Sequence, residues 1–168
     1  MQPVSSAAKV LEIKSETALS TTTKKELAAR LGVVLADSYQ LFIKTQGVHW
    51  NVSGPLFYSV HQLTELHYQN LFSAIDVIAE RIRSLGEKAP ASYTKYGKLS
   101  SIVDRDEEAS ANEMVQMLAR DHEIVCQSLR AAIEFVEDKA DYVTAGIMTD
   151  RLAWHEEAIW MLKATLPE

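Results

Sequence analysis

Helix-breaking residues are scarce in this sequence of 168 residues, which contains only six glycines and four prolines. The prolines, Pro3, Pro55, Pro90 and Pro167, all fall near chain ends or predicted turns. The long stretches between them favour helices, because neither residue is tolerated well inside one. Apolar residues make up 47% of the chain, enough to form the core of one domain.

Cysteine, long apolar runs and surplus positive charge are also missing. The single cysteine, Cys126, excludes an internal disulfide framework and a multi-cysteine zinc site, and favours a reducing, cytoplasmic setting. No run approaches the roughly 20 apolar residues of a membrane span, and no secretory signal is expected at the N-terminus. The net charge of −6 argues against nucleic acid as the default partner, because phosphate binding requires surplus cations.

The chain divides into a tail and one helical domain. We expect residues 1–22 to form a flexible tail and residues 23–168 to form the domain. Capping-box patterns at Thr23–Glu26 and Ser110–Glu113 predict the starts of the first and third helices. The run Asn51–Pro55 predicts a tight turn between the first and second.

Four long segments with helical periodicity follow from these boundaries. They cover about residues 24–49, 56–85, 110–137 and 141–166. Residues 86–108 form a long connection between the second and third. The fold class predicted is therefore all-α: an antiparallel four-helix bundle with one long connection.

The second predicted helix carries metal-compatible side chains on one stripe. These are His61, Glu65, Asp76 and Glu80. At about 100° per residue they fall within an arc of roughly 100°. They form two pairs, His61 with Glu65 and Asp76 with Glu80, at the four-residue separation that lets two side chains reach one ion.

These two pairs cannot serve one ion within one chain. His61 and Asp76 lie about 22 Å apart along a helix, whereas metal–ligand bonds are only about 2.0–2.2 Å. Both pairs share the same midpoint, between Asn70 and Leu71. Two copies of this helix, antiparallel across a twofold axis, would therefore bring each pair opposite the other. The pattern predicts two metal sites shared between two subunits.

His49 adds a fifth candidate ligand. It ends the first predicted helix, and the turn at Asn51–Pro55 returns the chain so that His61 lies beside it. Two imidazoles and three carboxylates suit iron, manganese or zinc, and the carboxylate-rich set favours iron chemistry over a structural zinc site.

At this point the sequence resembles the Dps family of miniferritins over roughly residues 24–166. The family's ferroxidase signature is matched by His49-Trp50-Asn51-Val52-Ser53-Gly54, Phe57, His61, Asp76 and Ala79-Glu80-Arg81-Ile82. The last helix of the family is matched by His155-Glu156 and Trp160-Met161-Leu162.

The resemblance implies a ferritin-like subunit in a hollow dodecamer built on twofold dimers. It implies ferroxidase activity that oxidises Fe(II), preferentially with hydrogen peroxide, and stores a ferric mineral that protects the cell from oxidative stress. His49 and His61 would be ligands from one subunit, with Asp76 and Glu80 from its mate. Trp50 would either lie near the metals and intercept oxidising equivalents or be a core residue that anchors the helix hairpin.

The ligand set departs from the family at one position, where Glu65 replaces the common Asp. The site is therefore either a di-iron site or a single iron with a labile second position.

Other polar residues have weaker interpretations. His67 is expected at an interface or on the surface, His122 is either solvated or packed, and His155 is expected to pack the last helix. Asp138 and Asp141 form either an acidic pore for iron entry or a charged loop with a helix N-cap at Asp141.

Three other functions compete with this one. A larger ferritin with a site inside one subunit needs Glu-x-x-His motifs on two helices, and no histidine here has Glu three residues before it. A protein whose main role is DNA compaction would need a basic arm, but Lys9 and Lys14 are balanced by Glu12 and Glu16, so DNA binding is expected to be weak. A purely structural bundle leaves the shared midpoint unexplained.

Overall fold

The computed structural model describes residues 17–105 and 108–167, and within these ranges all regular structure is helical. The helices are α1 (Thr21–Asn51), α2 (Phe57–Ser84), α3 (Tyr93–Leu99), α4 (Ala111–Glu137) and α5 (Tyr142–Ala164). Residues 1–16, most of the predicted tail, lie outside the described residues. No helix in the described ranges is both long and apolar enough to span a membrane.

The four long helices pack antiparallel to their neighbours. Between α1 and α4, Asp37 bonds to Ser128 and Lys44 lies against Asp121, so the two residue numbers run in opposite directions. Residue numbers also run in opposite directions between α1 and α2, between α4 and α5, and between α2 and α5. Helices α2 and α4 are therefore diagonal and parallel, which requires a long connection between them. The predicted antiparallel four-helix bundle is confirmed.

The helix starts follow local capping chemistry. The predicted capping box at the start of α4 is present: Ser110 Oγ accepts from Glu113 N–H, and the Glu113 carboxylate accepts from Ser110 N–H at 2.8 Å. The predicted start of the first helix at Thr23 is wrong. Ser20 has extended backbone angles and its Oγ accepts from Thr23 N–H at 3.1 Å, so α1 begins at Thr21.

The long connection contains a helix that the periodicity did not predict. Helix α3 has only seven residues and buries none of them, so it has no amphipathic repeat to detect. Tertiary contact holds it instead: the Tyr96 ring stacks on Tyr39 of α1, with centroids 4.4 Å apart. The Tyr96 hydroxyl also donates to Pro90 O at 2.8 Å.

Buried polar groups on α1 fix the end of this connection. The Asp37 carboxylate accepts from Ser101 N–H at 2.6 Å, from Ser100 Oγ and from Ser128 Oγ of α4. About two turns later, Lys44 Nζ lies 2.6 Å from Asp121 Oδ2 and donates to Val103 O at 3.1 Å. Burial raises the pKa of both carboxyl groups, and their hydrogen bonds and Lys44 oppose that rise.

We expect Lys44→Met to lower the free energy of unfolding by about 3 kcal/mol or more, because it leaves the Asp121 charge buried and unpaired. The double variant Lys44→Met with Asp121→Leu should recover most of that loss. The matched control is Lys163→Met, which breaks an exposed ion pair with Glu123 and should cost about 1 kcal/mol or less. Urea unfolding of the three variants measures the difference, and equal losses for both single variants would contradict the assignment.

Candidate metal centre

The α1–α2 turn brings two histidines together. Helix α1 ends at Asn51, and Val52 N–H still donates to Val48 O. Gly54 then adopts φ 81°, a left-handed conformation that favours glycine, and its carbonyl accepts from Phe57 N–H at 3.0 Å. The chain reverses within five residues, as the sequence predicted, and His49 meets His61.

The two imidazoles hold each other in one orientation. His49 Nδ1 lies 2.9 Å from His61 O, and His61 Nδ1 lies 2.8 Å from His49 O. A carbonyl oxygen only accepts, so each Nδ1 must carry the proton and donate it. In the neutral imidazoles, each Nε2 therefore keeps its lone pair for a metal, the arrangement typical of metal-binding histidines. The rings are stacked, with centroids 3.8 Å apart and planes 15° apart.

Aromatic side chains enclose this histidine pair. Phe57 stacks on His61 with centroids 5.0 Å apart, and the Tyr68 ring meets His49 edge-on at 5.2 Å. Trp50 is 67% exposed, so its interpretation as a core residue of the subunit is wrong. Within the described part of one subunit, its ring contacts neither imidazole. The sequence interpretation named Trp50 but missed Tyr68, although Tyr68 is seven residues after His61 and so lies on the same face of α2.

The candidate carboxylates lie at two places along α2. Glu65 is half-buried one turn after His61, whereas Asp76 and Glu80 are exposed near the other end of the helix. The structure thus brings His49 and His61 together and leaves Asp76 and Glu80 apart from them. Among residues 17–105 and 108–167 of one subunit, no group of three or more His, Cys, Asp or Glu side chains is arranged to hold a metal ion.

A large apolar surface is exposed around these carboxylates. It is formed by Ile43, Trp50, Phe57, Tyr58, Leu66, Phe72 and Val77 of α1 and α2. Phe72 and Tyr58 lie on the same stripe of α2 as the candidate ligands, and Leu66 and Val77 flank it. Large apolar side chains exposed in such number on two neighbouring helices are typical of a surface that packs against another molecule.

The other three histidines lie in the core. His67 is only 3% exposed and His122 and His155 are fully buried, so the expected interface or surface position of His67 is wrong. Its position on α2, opposite the ligand stripe, faces the bundle interior. The predicted packing role of His155 is confirmed, and His122 takes the packed alternative.

These three residues form a buried histidine cluster. His122 Nδ1 lies 2.9 Å from His155 Nδ1, the His67 ring contacts His122 edge-on, and Trp154 contacts all three rings. Burial lowers the pKa of His67 to about 4 and lowers the pKa values of His122 and His155 well below normal. Arg151 also opposes protonation of His122 and His155. The cluster is therefore neutral at pH 7, and the adjacent guanidinium makes it a poor cation site.

Asp141, one of the two acidic residues considered for an iron-entry pore, is the N-cap of α5. The Asp141 carboxylate accepts from Thr144 N–H at 3.2 Å and from Arg81 of α2 at 2.8 and 3.0 Å. Burial by itself would raise the pKa of Asp141, but its hydrogen bonds to Thr144 and Arg81 outweigh burial and lower the pKa. Between the pore and N-cap alternatives, the N-cap is correct for Asp141, while Asp138 is the exposed C-cap of α4.

Comparison with known proteins identifies the class. A family model for the ferritin-like domain matches residues 28–168, most of the chain. The crystal structure of a Dps protein from Vibrio cholerae O1 superposes with a TM-score of 0.83 at 30% identity, covering 87% of this chain and 92% of that one. It is described as a member of a broad superfamily of ferritin-like diiron-carboxylate proteins.

Two further relatives narrow that class. DNA protection during starvation protein 2 of Bacillus anthracis is 32% identical over 142 residues, which are 84% of this chain and 97% of the relative. The structure of antigen TpF1 from Treponema pallidum gives a TM-score of 0.85 at 32% identity, covering 93% of this chain and all of that one. The chain therefore belongs to the Dps family of ferritin-like proteins.

The buried histidine cluster predicts a specific loss of stability in acid. A histidine with pKa 6.5 when unfolded and about 4 when folded favours the folded state fully above pH 6.5. That contribution is lost as the pH falls from 6.5 towards 4, because the unfolded chain binds the extra proton. For His67 the loss at pH 5 is about 2 kcal/mol. Urea unfolding at pH 7.5 and pH 5 should show a smaller acid loss for His67→Leu than for the wild type. An identical loss in both proteins would refute the assignment.

Proposed function

We propose that this protein is a ferroxidase that oxidises Fe(II) to Fe(III), preferentially with hydrogen peroxide, and stores the ferric product. The observation that carries the proposal is the reciprocal bonding of His49 and His61, which leaves both Nε2 lone pairs free in one place. Two such nitrogens are part of a metal site, and we propose that the carboxylates Asp76 and Glu80 that complete it come from a second subunit.

A second subunit supplies those carboxylates. If two α2 helices pack antiparallel across a twofold axis between Asn70 and Leu71, Asp76 and Glu80 of one subunit come opposite His49 and His61 of the other. The exposed apolar surface around these residues supports this packing. Six such dimers would close the hollow dodecamer implied by the family resemblance.

The reaction at each shared site balances with two ferrous ions. Each Fe(II) gives one electron to a single peroxide, the O–O bond breaks, and two hydroxide ions form. Pairing the electrons avoids the hydroxyl radical that a single ferrous ion releases. Iron is the substrate, and the ferric ions hydrolyse to mineral inside the cage.

Glu65 sets the occupancy of the second iron. It lies one turn after His61 and retains the charge of the common Asp, but its extra methylene lengthens the reach. We propose a tightly held iron at the two histidines, Asp76 and Glu80, with a more labile second iron beside Glu65.

DNA compaction is the competing function, since several relatives are named for DNA protection during starvation. The charge of this chain argues against it. Twelve subunits at −6 each repel a polyanion over long range. The lysines among the first twenty residues are balanced by glutamates.

Mixed oligomers test the shared site directly. We expect His49→Ala and Asp76→Ala each to abolish most rapid Fe(II) oxidation, because each leaves every site incomplete. Co-assembled subunits of the two variants should recover part of the activity. A mixed dimer has one site lacking both ligands and one site with all of them intact. Stopped-flow absorbance of ferric product measures the recovery.

Native mass spectrometry provides the control for that experiment. It should give about twelve times the 18.8 kDa subunit mass for each variant and should verify mixed composition. Mixed particles with no recovered activity would refute ligands drawn from two chains. A stable monomer with full activity would refute the assembly.

The assembled particle should not bind duplex DNA at physiological salt. Phosphate binding needs a surplus of cations, and affinity of this kind falls steeply with salt. A gel shift at about 150 mM monovalent salt, with chelator to remove bridging cations, measures retention. Retention at micromolar protein or below would make DNA binding a real function of this chain.

A further inference from the structure

Tyr68 is the one phenol in ring contact with the histidine pair in the described part of the subunit. Its ring lies edge-on to His49, with centroids 5.2 Å apart and planes 75° apart. Its other ring contact is Phe42 of α1, at 6.3 Å, and Phe42 in turn contacts Phe72. Tyr68 thus has an iron-ligand candidate on one side and hydrocarbon rings on the other.

The distance from Tyr68 to a bound iron has an upper limit set by His49. With a metal–nitrogen bond of about 2.1 Å, the ion lies roughly 3 Å from the imidazole centre. Adding the 5.2 Å between ring centres, the iron is no more than about 8 Å from the Tyr68 ring centre, whichever way the imidazole points. Electrons tunnel rapidly between a metal and an aromatic ring over such a distance.

We propose that Tyr68 is an auxiliary electron donor of the ferroxidase site, which acts when only one ferrous ion is bound. This inference rests on the proposed function, since the oxidant is the peroxide used there. Among the rings that touch the pair, Phe57 is much harder to oxidise than a phenol. The rings of Phe42 and Phe72 are also harder to oxidise than a phenol, so the oxidising equivalent stays on Tyr68.

The step balances as a two-electron reduction of peroxide. Fe(II) gives one electron and the Tyr68 phenol gives one electron and its proton, while the O–O bond breaks. The products are Fe(III), a neutral phenoxyl radical, one water and one hydroxide. A later Fe(II), with one proton, restores the phenol and becomes Fe(III). No hydroxyl radical is released, although only one iron was present.

The test loads assembled protein with one Fe(II) per two-histidine site without oxygen, and then adds one hydrogen peroxide per iron. Freeze-quench electron paramagnetic resonance should detect a tyrosyl radical in the wild type. In Tyr68→Phe we expect that signal to fall at least fivefold and spin-trapped hydroxyl radical to rise severalfold. With two Fe(II) per site, both proteins should oxidise iron at the same rate and trap little radical.

Two matched variants and one label locate the signal. Tyr93→Phe and Tyr142→Phe, at exposed tyrosines on α3 and α5, should keep the radical. The sequence has six tyrosines, and ring-deuterated tyrosine should narrow the wild-type spectrum without any substitution. A radical that persists in Tyr68→Phe, or that is lost in Tyr93→Phe or Tyr142→Phe, would overturn the proposal.

Two outcomes distinguish a failure of this inference from a failure of the proposed function. A wild type that oxidises the single Fe(II) but forms no tyrosyl radical overturns the role of Tyr68 alone. A wild type that oxidises no Fe(II) under either loading overturns the proposed function, and the role of Tyr68 with it.

Discussion

The reciprocal hydrogen bonds between His49 and His61 are the constraint on which the candidate site depends. Each imidazole donates from Nδ1 to the backbone carbonyl of the other residue. The two residues therefore fix each other's tautomer and ring orientation without a third group. This also ties the end of α1 to the first turn of α2, so the helix hairpin and the ligand geometry are the same structure. A substitution at either histidine removes a proposed iron ligand and also frees the other imidazole to rotate.

The rest of the subunit stabilises that hairpin, but it does not complete the set of metal ligands that we propose. Buried polar groups on α1 hold the long connection, and Arg81 of α2 holds the N-cap of α5. Asp76 and Glu80 are exposed on α2, and so are large apolar side chains such as Phe72 and Leu66. The core is thus formed within the subunit, whereas the shared metal site that we propose needs a second copy.

The helix bundle and the position of the histidine pair were predictable from residue spacing. Helix periodicity, the Asn51–Pro55 turn and the Ser110–Glu113 capping box gave the bundle, because each is a local signal with a local cause. The position of His49 beside His61 followed from the turn. The proposal of a shared site followed from the common midpoint of two ligand pairs on one helix, since a helix fixes spacing and direction together.

Other features depend on tertiary contacts and have no local signal. Helix α3 is held by the stacking of Tyr96 on Tyr39, so its seven residues carry no pattern of their own. His67 was expected at an interface or on the surface, because it lies away from the ligand stripe of α2, but contacts with His122 and Trp154 accompany its burial in the core. The Nδ1–H tautomers of His49 and His61 could be assigned only from interatomic distances. The position of Tyr68 beside the histidine pair could have been predicted, because Tyr68 lies on the same face of α2 as His61. The search for ligands had considered only His, Asp and Glu on that face.

The most direct measurement of the central claim is a crystal structure of the assembled protein soaked anaerobically with Fe(II), with anomalous scattering collected at the iron edge. The account predicts one strong peak per site, bonded to Nε2 of His49 and His61 at about 2.1 Å, with Asp76 and Glu80 of the twofold mate completing it. A weaker second peak beside Glu65 fits the labile position. Iron bound wholly within one subunit, or at the buried histidine cluster in place of the His49–His61 pair, would contradict it.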